Sequence, residues 1–204
     1  MTLSKRLFDI LVALLLGAFL SPVILGLALW IRVRDGAPVF YISERMKTPD
    51  QGFGLVKFRT MTVVETDSGV SGGDKSARIT RTGQMLRGKR LDELPQLWNV
   101  LKGDISFVGP RPPLRQYVEQ FPEVYGEVLK ARPGITGLAT LVYHAHEEQL
   151  LSRCATRDET DAVYARACVP RKARLDLIYR DNRNLCWDAI LMWRTAMPRV
   201  RRRR

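Results

Sequence analysis

The feature that most limits this fold is an apolar run from Leu7 to Ile31, in which Asp9 is the only charge and Ser21-Pro22 stands near the middle. A helix of 25 residues, at about 1.5 Å each, would reach across the roughly 30 Å hydrocarbon layer of a bilayer if straight. The run is too long for a cleaved leader, and no small-residue cleavage site follows it. A plain transmembrane anchor is the simplest arrangement. Two details favour a re-entrant hairpin over it. Pro22 has no N–H and crowds the Ala18 carbonyl, so the helix should kink there, and Ser21 offers a hydroxyl to the freed backbone group. Lys5 and Arg6 precede the run while Arg32 and Arg34 follow it, so positive charge gives neither end a reason to cross. The expectation is a helix-break-helix over residues 1–34 that enters and leaves on the cytoplasmic face.

Lys plus Arg exceeds Asp plus Glu by 33 − 21 = 12, and the pI is near 10.1. Such a surplus implies an anionic partner. The tail Arg199 and Arg201–Arg204, beside a membrane segment, suits anionic lipid. Nucleic acid is the weaker partner, because no zinc-finger, RNA-binding or helix-turn-helix signature accompanies the charge. Cys154, Cys168 and Cys186 are odd in number and lack metal-ligand spacing, so they read as reduced thiols in a cytosolic compartment. His144 and His146 have no cysteine or histidine cluster around them and read as surface residues.

Residues 35–204 read as one cytosolic unit of α+β class, mainly helical around a small β-sheet. Asp35-Gly36-Ala37-Pro38 is a turn. Val39 to Ile42 and Gly52 to Met61 are strands, the second carrying Lys57 and Arg59. Thr66 to Lys75 is a polar, Gly-rich loop without the Gly-Lys-Ser/Thr ending of a phosphate-cradling Walker loop. A short helix follows over 79–87. Pro112 to Ala131 reads as a helix with an acidic face of Glu119, Glu123 and Glu127, and Arg132 to Gly137 as a tight turn. The region 144–170 is charged and helical. Beyond Lys172, helices carrying Tyr179, Trp187 and Trp193 among arginines fit a membrane interface and a core-facing stripe equally well.

The densest chemistry lies between them. Leu91, Leu94, Leu97, Trp98 and Leu101 fall at helical spacing, which predicts an amphipathic helix over 91–102 with Gly103 as its C-cap. Asp92, Gln96 and Asn99 share the opposite face. Asp92 and Glu93 then occupy the first turn, where the helix dipole favours ionised carboxylates. Asp92 alone would pass for an N-cap. That role explains neither Glu93 nor the surrounding Arg87, Lys89 and Arg90, nor the stiff Gly109-Pro110-Arg111-Pro112-Pro113 loop with its further arginine. A carboxylate pair ringed by fixed cations suits phosphate chemistry.

These residues resemble the bacterial sugar transferase family, the small monotopic phosphoglycosyl transferases. The resemblance covers roughly residues 3–197. It is carried by Lys57-Phe58-Arg59-Thr60-Met61, by Leu91 to Asp104, by Val108-Gly109-Pro110-Arg111-Pro112 and by Arg132 to Gly137, with Lys5-Arg6-x-x-Asp9 and Ser21-Pro22 at the N-terminus. It implies transfer of a phosphosugar from a UDP-sugar to polyprenyl phosphate at the cytoplasmic face of the bacterial inner membrane, with release of UMP and the start of a surface glycan. It implies Mg²⁺, with Asp92 among the metal's ligands. It further implies that Asp92 is the nucleophile of a covalent intermediate and Glu93 its assisting acid/base. Arg87, Arg111 and Arg132, with Lys57 and Arg59, are the phosphate-binding candidates it implies. A homodimer is left open.

The chain departs from the family pattern at Ser43-Glu44-Arg45-Met46-Lys47, where Gln-x-Arg-x-Gly is common, at Arg90, and at Leu138 to Tyr143, near where sugar choice would lie. Two other readings compete: a membrane-tethered scaffold that has lost the chemistry, and an anchored nucleic-acid binder. The first leaves the intact Asp92, Glu93, Arg87 and Arg111 unexplained, and the second leaves the acid pair unexplained.

Overall fold

The computed structural model describes residues 1–64, 70 and 72–197. The basic tail and half of the Gly-rich loop therefore lie outside the described residues. The chain opens with helix α1, Leu3–Arg34, whose N-cap Thr2 hydroxyl accepts the Lys5 N–H at 3.3 Å. The expected break is absent, since α1 runs through Ser21-Pro22 without interruption. The anticipated chemistry is present all the same. Pro22 cannot donate to the Ala18 carbonyl, and the Ser21 hydroxyl donates to it at 2.8 Å. One replaced bond in a helix of 32 residues does not end it.

One stripe of α1 faces protein along its whole length. Asp9, Ala13, Leu16, Leu20, Ile24, Leu27 and Ile31 recur every three or four positions and are buried or half-buried. Ala13 and Leu16 pack on a core with Val100, Ile105, Val108 and Leu191. Leu27 and Ile31 pack on Phe58 and Leu86. Arg6 pins the N-terminal end by donating to the Val100 and Leu101 carbonyls, both at 2.6 Å. Lys5 lies 2.9 Å from Asp9 and 2.8 Å from Asp188, which accounts for the one charge in the apolar run. The opposite face, with Leu11, Leu15, Phe19, Leu25, Leu29 and Val33, is exposed. A soluble surface rarely leaves so much contiguous apolar area bare.

Strands β1 (Phe40–Met46) and β2 (Gly52–Phe58) form an antiparallel hairpin in which Phe40 faces Phe58 and Tyr41 faces Lys57. A 3-10 turn over Gly73–Arg78 leads to α2 (Arg81–Gly88), capped by Thr80, and a second 3-10 turn, Leu91–Glu93, leads to α3 (Gln96–Lys102). Gly103, at φ 83°, caps α3 as anticipated. Then come β3 (Ser106–Val108), α4 (Arg115–Gln120), α5 (Pro122–Val128) and β4 (Gly134–Thr136), which pairs in parallel with β3. The chain continues through α6 (Leu138–Leu151), α7 (Arg157–Val163), a π turn at Tyr164–Cys168, α8 (Val169–Asn182) and α9 (Leu185–Ala196). The molecule is mainly helical, as expected, but among the described residues its strands form two separate pairs, with one isolated bridge between Met61 and Ile79.

Two further expectations need correction. The helix over 91–102 is a tight turn followed by a shorter helix, and its polar face is not exposed. Gln96 and Asn99 are buried, whereas Trp98 is 64% exposed. The cause is local: the Asn99 side chain accepts the Val56 N–H at 3.0 Å and donates to the Gly54 carbonyl at 2.8 Å, standing in for a neighbouring strand at β2. The helix expected over 112–131 divides at Phe121, with Pro122 starting α5, although Glu119, Glu123 and Glu127 do line an exposed face. The C-terminal aromatics serve both anticipated roles. Tyr179 is buried and stacks on Trp187 at 6.4 Å, while Ile190, Trp193 and Met197 form an exposed stripe on α9.

Candidate active site

The site forms where β2, the end of α2 and the turn before α3 meet. Arg90 adopts φ 54°, a left-handed conformation uncommon outside glycine, and this bend starts the Leu91–Glu93 turn. Such strain persists only where the surroundings hold it and gathers at functional sites. Close packing of two loops supports the turn from below. A side chain on Gly109 would collide with the Arg132 carbonyl, and one on Gly134 with the Gly109 backbone. That accounts for both glycines in the Gly-Pro-Arg-Pro and Arg-Pro-Gly motifs.

Asp92 opens into a cavity of about 200 Å³. Arg87, Lys57, Arg45, Lys75 and Arg78 share that cavity, with an apolar wall that includes Phe40, Met61 and Val63. Burial and the Glu93 carboxylate raise the Asp92 pKa, against the pull of Lys57 and Arg87. One terminal nitrogen of Arg87, Nη1, is buried without a hydrogen-bond partner. A buried guanidinium N–H left unmade is costly, and an anion entering the cavity would satisfy it.

Glu93 turns the other way. Its Oε1 accepts from Arg111 at 2.7 Å and lies 3.6 Å from Lys57 Nζ. Burial works to raise its pKa, but Arg111 and Lys57 outweigh it and hold the carboxyl down at about 2. The Glu93 pair in turn drives the Arg111 pKa upward. Lys57 is brought down to about 8 by burial and by Arg111, with Glu93 opposing. Asp92 and Glu93 thus form two environments, one carboxylate facing a cavity and one locked between cations.

Of the expected phosphate binders, Arg87 and Lys57 line the cavity directly, and Arg111 reaches the site through Glu93. Arg59 also lines the cavity, but its terminal nitrogens are spent on the carbonyls of Asp35, Gly36 and Ala37, at 2.6, 2.9 and 3.2 Å. It ties the end of α1 to the cavity floor. Arg132 lies elsewhere: it donates to the Gly103 carbonyl and lines a separate small cavity with Lys5 and Asp188. Gly103 ends α3, so Arg132 caps that helix's carbonyls, as a cation at a C-terminus should.

Arg45, Lys75 and Arg78 were not among the expected site residues. Arg45 is held by the Ser43 hydroxyl at 3.3 Å and the Pro112 carbonyl at 3.4 Å, and burial and Arg111 lower its pKa to about 10. The departure at 43–47 therefore keeps its arginine in the cavity, with a buried serine beside it. The three cysteines are free thiols, and both histidines sit on α6. Among the described residues no group of three His, Cys, Asp or Glu side chains converges as a metal site.

Comparison with known proteins places this geometry. EpsL of Bacillus subtilis, an uncharacterised sugar transferase, is 43% identical over 137 residues, which is 67% of this chain and 67% of that protein. A UDP-glucose:undecaprenyl-phosphate glucose-1-phosphate transferase of Klebsiella pneumoniae is 39% identical over 166 residues, 79% of this chain and 36% of its own length. A UDP-N-acetylgalactosamine-undecaprenyl-phosphate N-acetylgalactosaminephosphotransferase of Aeromonas hydrophila is 33% identical over 197 residues, 94% of this chain and 42% of its own length. The chain spans less than half of these last two relatives. A family model described as bacterial sugar transferase matches residues 1–202, and the chain belongs to that family.

Proposed function

We propose that the protein moves the phosphosugar of a UDP-sugar onto polyprenyl phosphate, releasing UMP, at the cytoplasmic face of a bacterial inner membrane. The observation that carries this reading is the Asp92 carboxylate in a cavity with Arg87, Lys57 and Arg45, where one Arg87 nitrogen lacks a partner. An Asp92 oxygen attacks the phosphorus that bears the sugar. An Asp92 O–P bond forms, the bond from that phosphorus to the bridging diphosphate oxygen breaks, and UMP leaves with that oxygen. A phosphate oxygen of the lipid then attacks the same phosphorus. The Asp92 O–P bond breaks, the carboxylate is restored and a lipid diphosphosugar departs. Arg87, Lys57 and Arg45 hold the phosphate oxygens and offset the charge that builds on them.

Glu93, ionised and paired with Arg111, serves this reaction as a fixed anion that orients Arg111 and Lys57 rather than as a proton carrier. Mg²⁺ commonly takes one or two carboxylates plus substrate phosphates. Asp92 fits that role, because burial beside Glu93 leaves its charge under-compensated. A bound Mg²⁺ would neutralise diphosphate charge. The relatives are named for glucose and N-acetylgalactosamine, so the sugar stays unassigned here.

The membrane arrangement follows from α1. Both its halves pack on one folded unit, through Ala13 and Leu16 at one end and Leu27 and Ile31 at the other. A helix so held has no free end to send across a bilayer, while its bare face needs lipid. Lys5, Arg6, Arg32 and Arg34 keep both ends on the cytoplasmic side. The exposed Ile190, Trp193 and Met197 of α9 add a second lipid contact.

The test is UMP release from a panel of UDP-sugars, in detergent with Mg²⁺ and undecaprenyl phosphate. At least one sugar should give turnover, and Asp92→Asn should lower it by roughly 10³-fold or more. Full activity in Asp92→Asn would refute the nucleophile.

A further inference from the structure

The β1/β2 register sets two unlike pairs side by side, Phe40 with Phe58 and Tyr41 with Lys57. The Phe40 and Phe58 rings stack at 5.4 Å, and Phe58 is buried against Ile31 of α1. Phe40 stays 44% exposed. Next to it runs the segment after β2. Met61 pairs with Ile79, and the Thr62 N–H donates to the Arg78 carbonyl at 2.9 Å, so Val63 and Val64 are held at the cavity rather than packed into the core. They are 64% and 41% exposed. Three apolar side chains thus stand open to solvent on the wall of a cavity that otherwise gathers cations around Asp92.

This wall continues toward the bilayer. Ile31 touches Phe58 on the inner side of α1, while Leu29 and Val33 are bare on its outer side. Arg32 and Arg34 sit at the same end and mark the headgroup level. Pro38, four residues beyond Arg34, lines the cavity with Phe40. The order from hydrocarbon inward is apolar helix face, headgroup arginines, apolar wall, cationic cavity. A molecule with an apolar tail and an anionic head matches that order at each step. A nucleobase needs hydrogen-bonding partners as well as stacking, whereas a prenyl chain needs only apolar area.

We propose that Phe40, Val63 and Val64 seat the first isoprene units of the lipid acceptor, guiding its phosphate from the bare face of α1 to Asp92. This inference rests on the transfer reading above. It makes the wall a reason the enzyme takes a prenyl phosphate over a phosphate monoester that has no isoprene unit.

The experiment compares wild type with Val63→Asp/Val64→Asp, using undecaprenyl phosphate and methyl phosphate, which has no isoprene unit, as acceptors. Single-turnover UMP release without acceptor is measured alongside. Neither valine belongs to a buried core cluster, and Val63→Leu serves as the conservative variant. Wild type and Val63→Leu should prefer undecaprenyl phosphate over methyl phosphate by kcat/KM. The double variant should lose at least about tenfold of that preference, with the loss in the acceptor step. An unchanged preference would overturn the inference. So would a matching loss of UMP release without acceptor, which would assign the wall to the nucleotide. If the wild type released no UMP from any UDP-sugar, the transfer reading itself would fall, and this inference with it.

Discussion

Burial and the Glu93 charge push the Asp92 carboxyl above its ordinary pKa, while Glu93 itself, despite burial, is held at about 2 by Arg111 and Lys57. These opposite shifts assign different work to neighbouring residues. Lys57 makes the difference measurable. At about 8 its pKa lies below the ordinary 10.5, so it carries its charge below pH 8 and loses it above. If that charge holds substrate phosphate, kcat/KM for the UDP-sugar falls as pH rises through about 8, and Lys57→Met abolishes this alkaline limb. Glu93 holds the Lys57 proton on and Arg111 drives it off. Glu93→Gln should therefore shift the limb to lower pH and Arg111→Met to higher pH. A limb that stays in place in Glu93→Gln would contradict the fixed-anion role. Arg87, Lys57 and the acid pair were legible in the sequence because they sit in long ordered motifs. Arg132 was misplaced for the same reason, since a motif shows that an arginine matters but not that it caps α3 through the Gly103 carbonyl.

Among the elements, α3 carries the largest surprise. Periodicity placed Asn99 on an exposed polar face, but its amide completes the β2 edge by bonding Val56 and Gly54. A side chain that imitates a strand leaves no periodic trace. Asn99→Ala removes these two hydrogen bonds and a third, donated to Asp104 at 3.1 Å, so it should destabilise the protein by about 3 kcal/mol and lower the thermal midpoint measured in detergent. An unchanged midpoint would contradict the bracing role. The parallel pair of β3 and β4 was equally hidden, because three-residue strands lie below any repeat that hydropathy can reveal. The presence of two strands, α2 and the Gly103 cap were readable from local signals, but the first strand runs on to Met46 and its pairing with the second was not read. The break at Ser21-Pro22 was expected from proline chemistry and from positive charge at both ends of the run, and the Ser21 bond to the Ala18 carbonyl offsets the loss that proline causes.

At the scale of the whole molecule, α1 is a wall of the folded unit and, in the proposed arrangement, its membrane contact. Its inner stripe packs on two cores, and its outer face is left to lipid. With Cys186, the exposed native thiol, changed to serine, single cysteines at Leu3 and at Arg34 should both react with a membrane-impermeant thiol reagent in inside-out vesicles. Neither should react in intact spheroplasts. Labelling of the two positions from opposite sides would mean a spanning helix and would contradict the arrangement in which lipid phosphate meets Asp92 at the bilayer edge.

The central claim is a covalent bond between Asp92 and a phosphosugar, and intact-protein mass spectrometry reads it directly. The purified protein is mixed with a UDP-sugar that supports turnover and with Mg²⁺, without acceptor, and quenched rapidly. One added phosphosugar mass is expected in the wild type, with its absence in Asp92→Asn and its disappearance when undecaprenyl phosphate is supplied. A wild type that turns over with no added mass, or an adduct that persists in Asp92→Asn, would contradict the claim.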